Sequence, residues 1–295
     1  MKLLITGFNG FVAGSVIAHA KGKWEIHGID LVEGPANEPG IFYHTLDLLD
    51  DQNLTELFRQ ITPDAVIHTA AMANIDVCQN NQEKAEKVNV GITRTIARLC
   101  QESGAKMILC STDTVFDGTK GNYIETDAPH AVNFYAETKI KAEQFVLSAS
   151  DKNVVTRLSL VMGLPIMGQG NSFLADTIEK LKNGLQVPFP ANEIRTPLDV
   201  VTLGSALVEL AGNQFGGIIH LAGSTKINRY QMAREIATTL GYSPELILST
   251  DSNAMPGRAP RPNDASMDNS LAKKILKTPM RTLSEGLELT LHFKI

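Results

Sequence analysis

Over the first 160 residues, short runs that are apolar on both faces alternate with longer stretches whose apolar positions recur at helical spacing. The run Lys2-Leu-Leu-Ile-Thr6 predicts a buried strand, and residues 15–20 predict the helix after it. Residues 24–29, 41–45, 64–69, 106–110 and 153–160 read as five further strands, with helical periods over 52–60, 82–103 and 134–150 among them. Strands of this kind, separated by helices, pair in parallel, so the fold class predicted is α/β, a doubly wound Rossmann-type parallel sheet. Beyond 160 the pattern loosens. Gly163, Pro165, Gly168, Gly170, Pro188 and Pro190 surround one helix begun by Ser172. Asp199 is expected to cap a helix over 199–211, residues 217–221 form another strand, and Asn228 caps a helix that Gly241 stops. Arg258-Ala-Pro-Arg261-Pro262 reads as a rigid basic loop, and two helices close the chain.

At 295 residues the chain can hold one large domain or a core with a smaller lobe attached, and the loosened pattern favours the second. Hydrophobic residues at 43% and charged residues at 20% place it among ordinary globular proteins. A net charge of -5 argues against a nucleic-acid surface. Cys78, Cys100 and Cys110 form no C-x-x-C pair and the histidines no H-x-x-x-H pair, so no metal site is expected. The first apolar run is too brief for a signal segment and no stretch reaches the length of a membrane span, which makes the cytoplasm the expected location.

The candidate chemistry begins where the first strand runs into Gly7-Phe-Asn-Gly10-Phe11-Val12-Ala13. A strand, a glycine turn and a helix N-terminus together offer backbone N–H groups to a pyrophosphate. Asp30 ends the second strand 23 residues past Gly7, near the spacing at which an acid meets a ribose 2′-hydroxyl; the plainer reading is a turn carboxylate. Such an acid favours NAD(H), with NADP(H) as the other candidate. Asp47, followed by Leu48, either borders an adenine or caps the helix over 52–60. Ala70, Ala71 and Met72 leave their strand with little bulk to block a cofactor, and His68 before them reads as a satisfied core histidine. Ser111-Thr112-Asp113 ends a strand at the same edge of the sheet, with hydroxyls facing the crevice. In Tyr135-Ala-Glu-Thr-Lys139 a phenol and an ammonium sit one helical turn apart, where Lys139 is expected to lower the phenol's pKa for proton exchange with a substrate oxygen. Alone the pair is weak, since chance supplies about half of one such Tyr-to-basic spacing in this composition.

Taken together, the glycine turn, Asp30, Ser111-Thr112 and Tyr135-x-x-x-Lys139 resemble the extended short-chain dehydrogenase/reductases. Ser111 to Gly118, Glu125-Thr126-Asp127, Arg195-Thr196-Pro197 and Arg261-Pro262-x-Asp264-Ala-Ser266-Met-Asp268 bring the chain closer to the dTDP-4-dehydrorhamnose reductase group, over nearly its whole length. The resemblance implies a dinucleotide-binding domain, residues 1–160 and 194–222, and a smaller substrate lobe, residues 161–193 and 223–295. It implies that Gly7, Gly10, Phe11 and Val12 line the pyrophosphate, that Asp30, Asp47 and Leu48 hold the adenosine, and that Ala70, Ala71, Met72 and Asn89 border the dinucleotide. Tyr135 and Lys139 grip the nicotinamide ribose, while Thr112, Asp113, Leu160 and Arg195 meet the substrate. Thr112, Tyr135 and Lys139 form the implied catalytic set, for reduction of a keto group on a nucleotide-activated sugar. An NAD-dependent sugar-nucleotide epimerase or dehydratase, and a non-catalytic dinucleotide-binding regulatory subunit, are the alternatives. A homodimer is the assembly the resemblance admits. Two departures stand out: Leu160 replaces the tryptophan usual after Arg157-Leu-Ser, and Gly14-Ser15 stands where some members carry a metal-contacting glutamate.

Overall fold

A computed structural model of the chain describes residues 1–35, 37–167 and 172–293; Gly168 and Gly170 lie outside the described residues. In chain order the first part comprises β1 (Lys2–Thr6), α1 (Phe11–Ala20), β2 (Glu25–Asp30), β3 (Ile41–Thr45), α2 (Asp51–Ile61), β4 (Ala65–His68), α3 (Ile75–Asn80), α4 (Gln82–Ala85), α5 (Ile92–Ser103), β5 (Lys106–Thr112), α6 (Phe134–Ala149) and β6 (Val154–Leu158). There follow β7 (Val161–Met162), α7 (Phe173–Lys182), β8 (Val187–Pro190), β9 (Ile194–Arg195), β10 (Leu198–Asp199), α8 (Val200–Gly212), β11 (Gly217–Leu221), β12 (Ile227–Asn228), α9 (Arg229–Thr239), β13 (Ile247–Thr250), α10 (Ser270–Ile275) and α11 (Leu283–His292). None of the described helices is long and apolar enough to cross a membrane.

The apolar runs form one seven-stranded sheet in the order β11-β6-β5-β4-β1-β2-β3, with every pairing parallel. Both faces are covered, which is why the strands carry no polar alternation. One face packs Leu3, Ile5, Ile67 and Ile219 against Val16 and Ile17 of α1 and Leu203 and Leu207 of α8. The other packs Leu4, Val66 and Leu109 against Leu54, Ile96 and Val146 of α2, α5 and α6. Strand order reverses between β1 and β4, and a crevice opens at the carboxyl ends of strands at such a switch point.

Several boundaries differ from the sequence reading. The helical period over 82–103 is interrupted: α4 leads into a π-helical turn, Glu86–Gly91, before α5 begins. Asp47 does not cap α2, because Asp50 accepts the Asn53 N–H at 3.1 Å while Asp47 accepts that of Leu49 at 2.9 Å. Strand β5 runs on through Thr112, and α1 starts already at Phe11 with Gly10 as its N-cap. The caps at Ser172, Asp199 and Asn228 form as expected, accepting from Ala175, Thr202 and Gln231. Outside the sheet, strands among the described residues pair two by two, β7 with β10, β8 with β13 and β9 with β12. Two small cores fill the space between them, one around Met162, Leu174, Met232 and Leu287, the other around Val187, Phe189, Ala237 and Ile247.

Candidate active site

At the switch point the chain leaves β1 through Gly7, whose φ of +69° is a left-handed conformation natural to glycine. A β-carbon there would lie 3.1 Å from the Ala70 Cα, so the turn rests directly on the backbone leaving β4. Helix α1 then starts at Phe11 and Val12, whose N–H groups lack intrahelical partners, and its first turn carries no acidic residue to offset the positive end. Beside the turn, Asp30 is fixed at the end of β2: its carboxylate accepts from the Asn9 N–H at 3.1 Å and the Leu31 N–H at 2.7 Å. Leu48 is buried under this edge with Ile29 and Leu54, while Asp47 is exposed. A cradle of free N–H groups, a fixed carboxylate and small side chains at Ala70 and Ala71 fits a dinucleotide. Asn89, inside the π-turn, reaches the same edge; its Oδ1 accepts from Met72 N–H at 2.8 Å and its Nδ2 donates to the Met72 carbonyl at 3.1 Å.

Strand β5 and helix α6 bring the candidate groups Thr112 and Tyr135 to one cavity. Asn133 caps α6 by accepting the Ala136 N–H at 2.9 Å, which sets Tyr135 in the first turn and Lys139 one turn on. Both are buried, Tyr135 at 9% and Lys139 at 2% exposure. Thr112, 9% exposed, meets the Thr114 hydroxyl at 3.0 Å beside Tyr135. The expectation that Lys139 draws the phenol's pKa down is not met. Burial, then the charges of Asp113 and Cys78, push Tyr135 above its ordinary value, and only the Thr112 hydroxyl pulls back among the nearby hydrogen bonds. A phenol that holds its proton at neutral pH is suited to donate it. Burial also lowers Lys139, opposed by Cys110, Glu143 and Cys78. Ser111 does not give its hydroxyl to the crevice; it donates to Glu143 at 2.5 Å, and Arg157 completes that buried pair at 2.8 Å.

A cavity of about 590 Å³ opens from Thr112, Asp113 and Tyr135 towards Leu160, Phe173, Arg229 and Arg258. Arg195 also lines it, but its guanidinium donates to the carbonyls of Ile194 at 2.7 Å, Asn263 at 3.1 Å and Pro262 at 3.0 Å. From there its Nε stands 3.4 Å from Asp113, whose carboxyl burial raises and Arg195 lowers. Arg195 is thus a brace behind the wall. The residues the sequence reading missed are Glu193, Arg229 and Arg258. Glu193, 3% exposed, is shared by Arg195 at 3.8 Å, Arg229 at 3.3 Å and Arg258 at 3.4 Å. Burial alone would raise this carboxyl, yet Arg229, Arg195 and Arg258 hold it below its ordinary value. The signals available were Glu193 two positions before Arg195 and the basic loop beginning at Arg258, to which the sequence reading gives no site role; nothing local pointed to Arg229. Glu143, one turn past Lys139 on a buried face, was also missed, and that spacing was visible.

The sequence model of the family described as RmlD substrate binding domain matches residues 1–293. The dTDP-4-dehydrorhamnose reductase of Mycobacterium tuberculosis is 28% identical over 95% of this chain and 89% of its own length. Methionine adenosyltransferase 2 subunit beta of Xenopus laevis is 26% identical over 95% of this chain and 85% of its own. Among solved structures, a hypothetical dTDP-4-dehydrorhamnose reductase from Sulfolobus tokodaii superimposes with a TM-score of 0.85 at 31% identity, covering 97% of this chain and 99% of that one.

Proposed function

The chain belongs to the RmlD substrate binding domain family, and from that premise we propose that it is a nicotinamide-dinucleotide-dependent reductase of a keto group on a nucleotide-activated sugar. The observation that carries the reading is that Thr112 and Tyr135 line one wall of the cavity beyond β5, with Lys139 buried one helical turn past Tyr135 on α6. Gly7, Gly10, Phe11 and Val12 would hold the pyrophosphate, Asp30 the adenosine ribose, and Ala70 to Met72 the side of the dinucleotide. The dinucleotide, when bound, supplies hydride. Tyr135 gives its proton to the developing alkoxide, Thr112 hydrogen-bonds the same oxygen, and Lys139 stabilises the phenolate left behind. Asp113, braced by Arg195, faces the neighbouring hydroxyl. At the far end of the cavity, Arg229 and Arg258 share one carboxylate between them and Arg195, which leaves positive charge for a diphosphate.

The direct test supplies purified protein with NADH and keto-sugar nucleotides. Steady consumption of NADH is expected, whereas turnover on catalytic NAD alone indicates epimerisation or dehydration. NADH is the preferred cofactor on this reading, because the carboxylate of Asp30 opposes a 2′-phosphate and Leu31, Val32 and Glu33 offer no cation to receive one. A KM for NADPH at or below that for NADH contradicts the preference. The relative named as a subunit supports a second reading, in which the chain binds a dinucleotide and a partner enzyme without catalysis. A stoichiometric partner recovered with no NADH consumption on any keto-sugar selects it.

A further inference from the structure

We propose that His68 is a positioning residue: a neutral imidazole, protonated at Nε2 alone, that sets the height of the Ala70–Met72 wall against the glycine turn. The proposal rests on the reading of that wall as part of a dinucleotide site. His68 ends β4 with 1% exposure; its Nδ1 lies 2.7 Å from Thr6 Oγ1 and its Nε2 3.0 Å from Thr93 Oγ1.

Hydrogen-bond accounting fixes the direction of every link. The Thr93 hydroxyl lies 2.7 Å from the Asn89 carbonyl, which can only accept, so its single proton goes there. Thr93 Oγ1 must then accept from His68, which places a proton on Nε2. A neutral ring carries one such proton, so Nδ1 is bare and accepts from the Thr6 hydroxyl. The lone pairs this leaves on Thr6 Oγ1 receive the Ala70 N–H at 3.2 Å. All donors therefore point one way, from Ala70 through Thr6, His68 and Thr93 to Asn89. Burial, assisted by the charge of Lys139, lowers the imidazole to about 3, in keeping with a ring that stays neutral.

Both ends of this line reach the site. Ala70 is the surface on which Gly7 sits. Asn89 clamps Met72 N–H and carbonyl with its side chain and also donates to Thr138 Oγ1 at 3.0 Å, which in turn donates to the Tyr135 carbonyl at 2.7 Å. One histidine thus links the turn after β1 to the helix bearing Tyr135. The segment between is pinned at Ala70 by Thr6 and at Met72 by Asn89.

The test compares His68→Leu, Thr6→Val and Thr6→Ser with the unaltered chain for NADH affinity, kcat at saturating NADH, and Tm. Leaving the Ala70 N–H unpaired in Thr6→Val, or its acceptor free to rotate in His68→Leu, should raise the NADH Kd about tenfold while kcat stays within about threefold. Thr6→Ser, which keeps the hydroxyl, should bind as the unaltered chain does. Folded variants that lose Tm but keep the original Kd overturn the positioning role; if His68→Leu does not fold, the Thr6→Val and Thr6→Ser pair decides. Nitrogen-15 NMR of the imidazole gives a separate answer, since a ring protonated at Nδ1, or one that titrates near neutral pH, refutes the bonding line. If the unaltered chain binds neither NADH nor NADPH, the dinucleotide reading itself fails, whereas binding that no variant disturbs sinks only this inference.

Discussion

Buried polar groups are held differently on the two sides of the cavity. On the sheet side they largely close on one another: His68 uses both ring nitrogens, and Glu143 takes Ser111 on one oxygen and Arg157 across both, with only the Arg157 Nη1 of that set lacking a partner among the described residues. On the opposite side Glu193 is shared by three arginines, one of which also faces Asp113, and its Oε1 and the Nε of Arg229 lack a hydrogen-bond partner among the described residues. Closed sets fix a geometry before any ligand arrives, which suits the half of the site that holds a common cofactor. A cluster with more guanidinium groups than carboxylates gains partners when an anion enters, which suits the proposed diphosphate end.

The largest effect expected from separating the two sides is at Tyr135. Tyr135→Phe keeps the packing and removes the acid, so kcat at saturating NADH should fall by about 10²- to 10⁴-fold. Undiminished turnover would show that the sheet side supplies binding but no proton. Next comes Glu193→Ala, which leaves three like charges around a buried site. A stability loss of about 3–5 kcal/mol is expected by denaturant titration, of the size seen when one partner of a buried ion pair is removed. A cluster that tolerates the change is not held by that carboxylate.

Acid should act through two buried imidazoles, His68 lowered to about 3 and His220 to about 4. A histidine whose folded pKa is depressed favours unfolding wherever only the unfolded chain takes the proton. Stability should therefore be full above pH 6.5 and fall as pH drops from there towards the folded values. The loss by pH 5 is roughly 2 kcal/mol for each ring, and His220→Leu should remove one share of the slope. The smallest effect is at the glycine turn. Gly7→Ala puts a β-carbon at positive φ against Ala70, which should cost about 1–2 kcal/mol and weaken NADH binding while leaving the arginine cluster intact.

The same contrast explains what could be read before the fold was known. The strands of the sheet were legible because burial on both faces writes itself as unbroken apolar runs, and the caps at Ser172, Asp199 and Asn228 because each supplies its own acceptor three residues ahead of the N–H it satisfies. The π-turn was not legible: its register follows from where Asn89 must reach, and Met72 is 17 residues away. Asp47 and Asp50 both lie close enough to cap α2, so spacing alone left Asp47 open between a cap and a place beside the adenine, and the structure gives the cap to Asp50. For Tyr135, a four-residue spacing gave the neighbour but not the burial, and burial decides the direction of its pKa. The partners of Glu193 come from α9 and from the 258–261 loop, 36 and 65 residues along the chain, beyond any local pattern.

The loop bearing Arg258 and Arg261 spans from one side of the cavity to the other. Arg261 grips Asp76 of α3 through both terminal guanidinium nitrogens, at 2.6 and 2.7 Å, and the Pro260 carbonyl accepts from the same Asn133 that caps α6. A crossbar fastened beside the helix that carries Tyr135 cannot swing aside without unfastening one end. One short loop thus holds Glu193 through Arg258, Asp76 through Arg261 and the capping residue of α6 through Pro260.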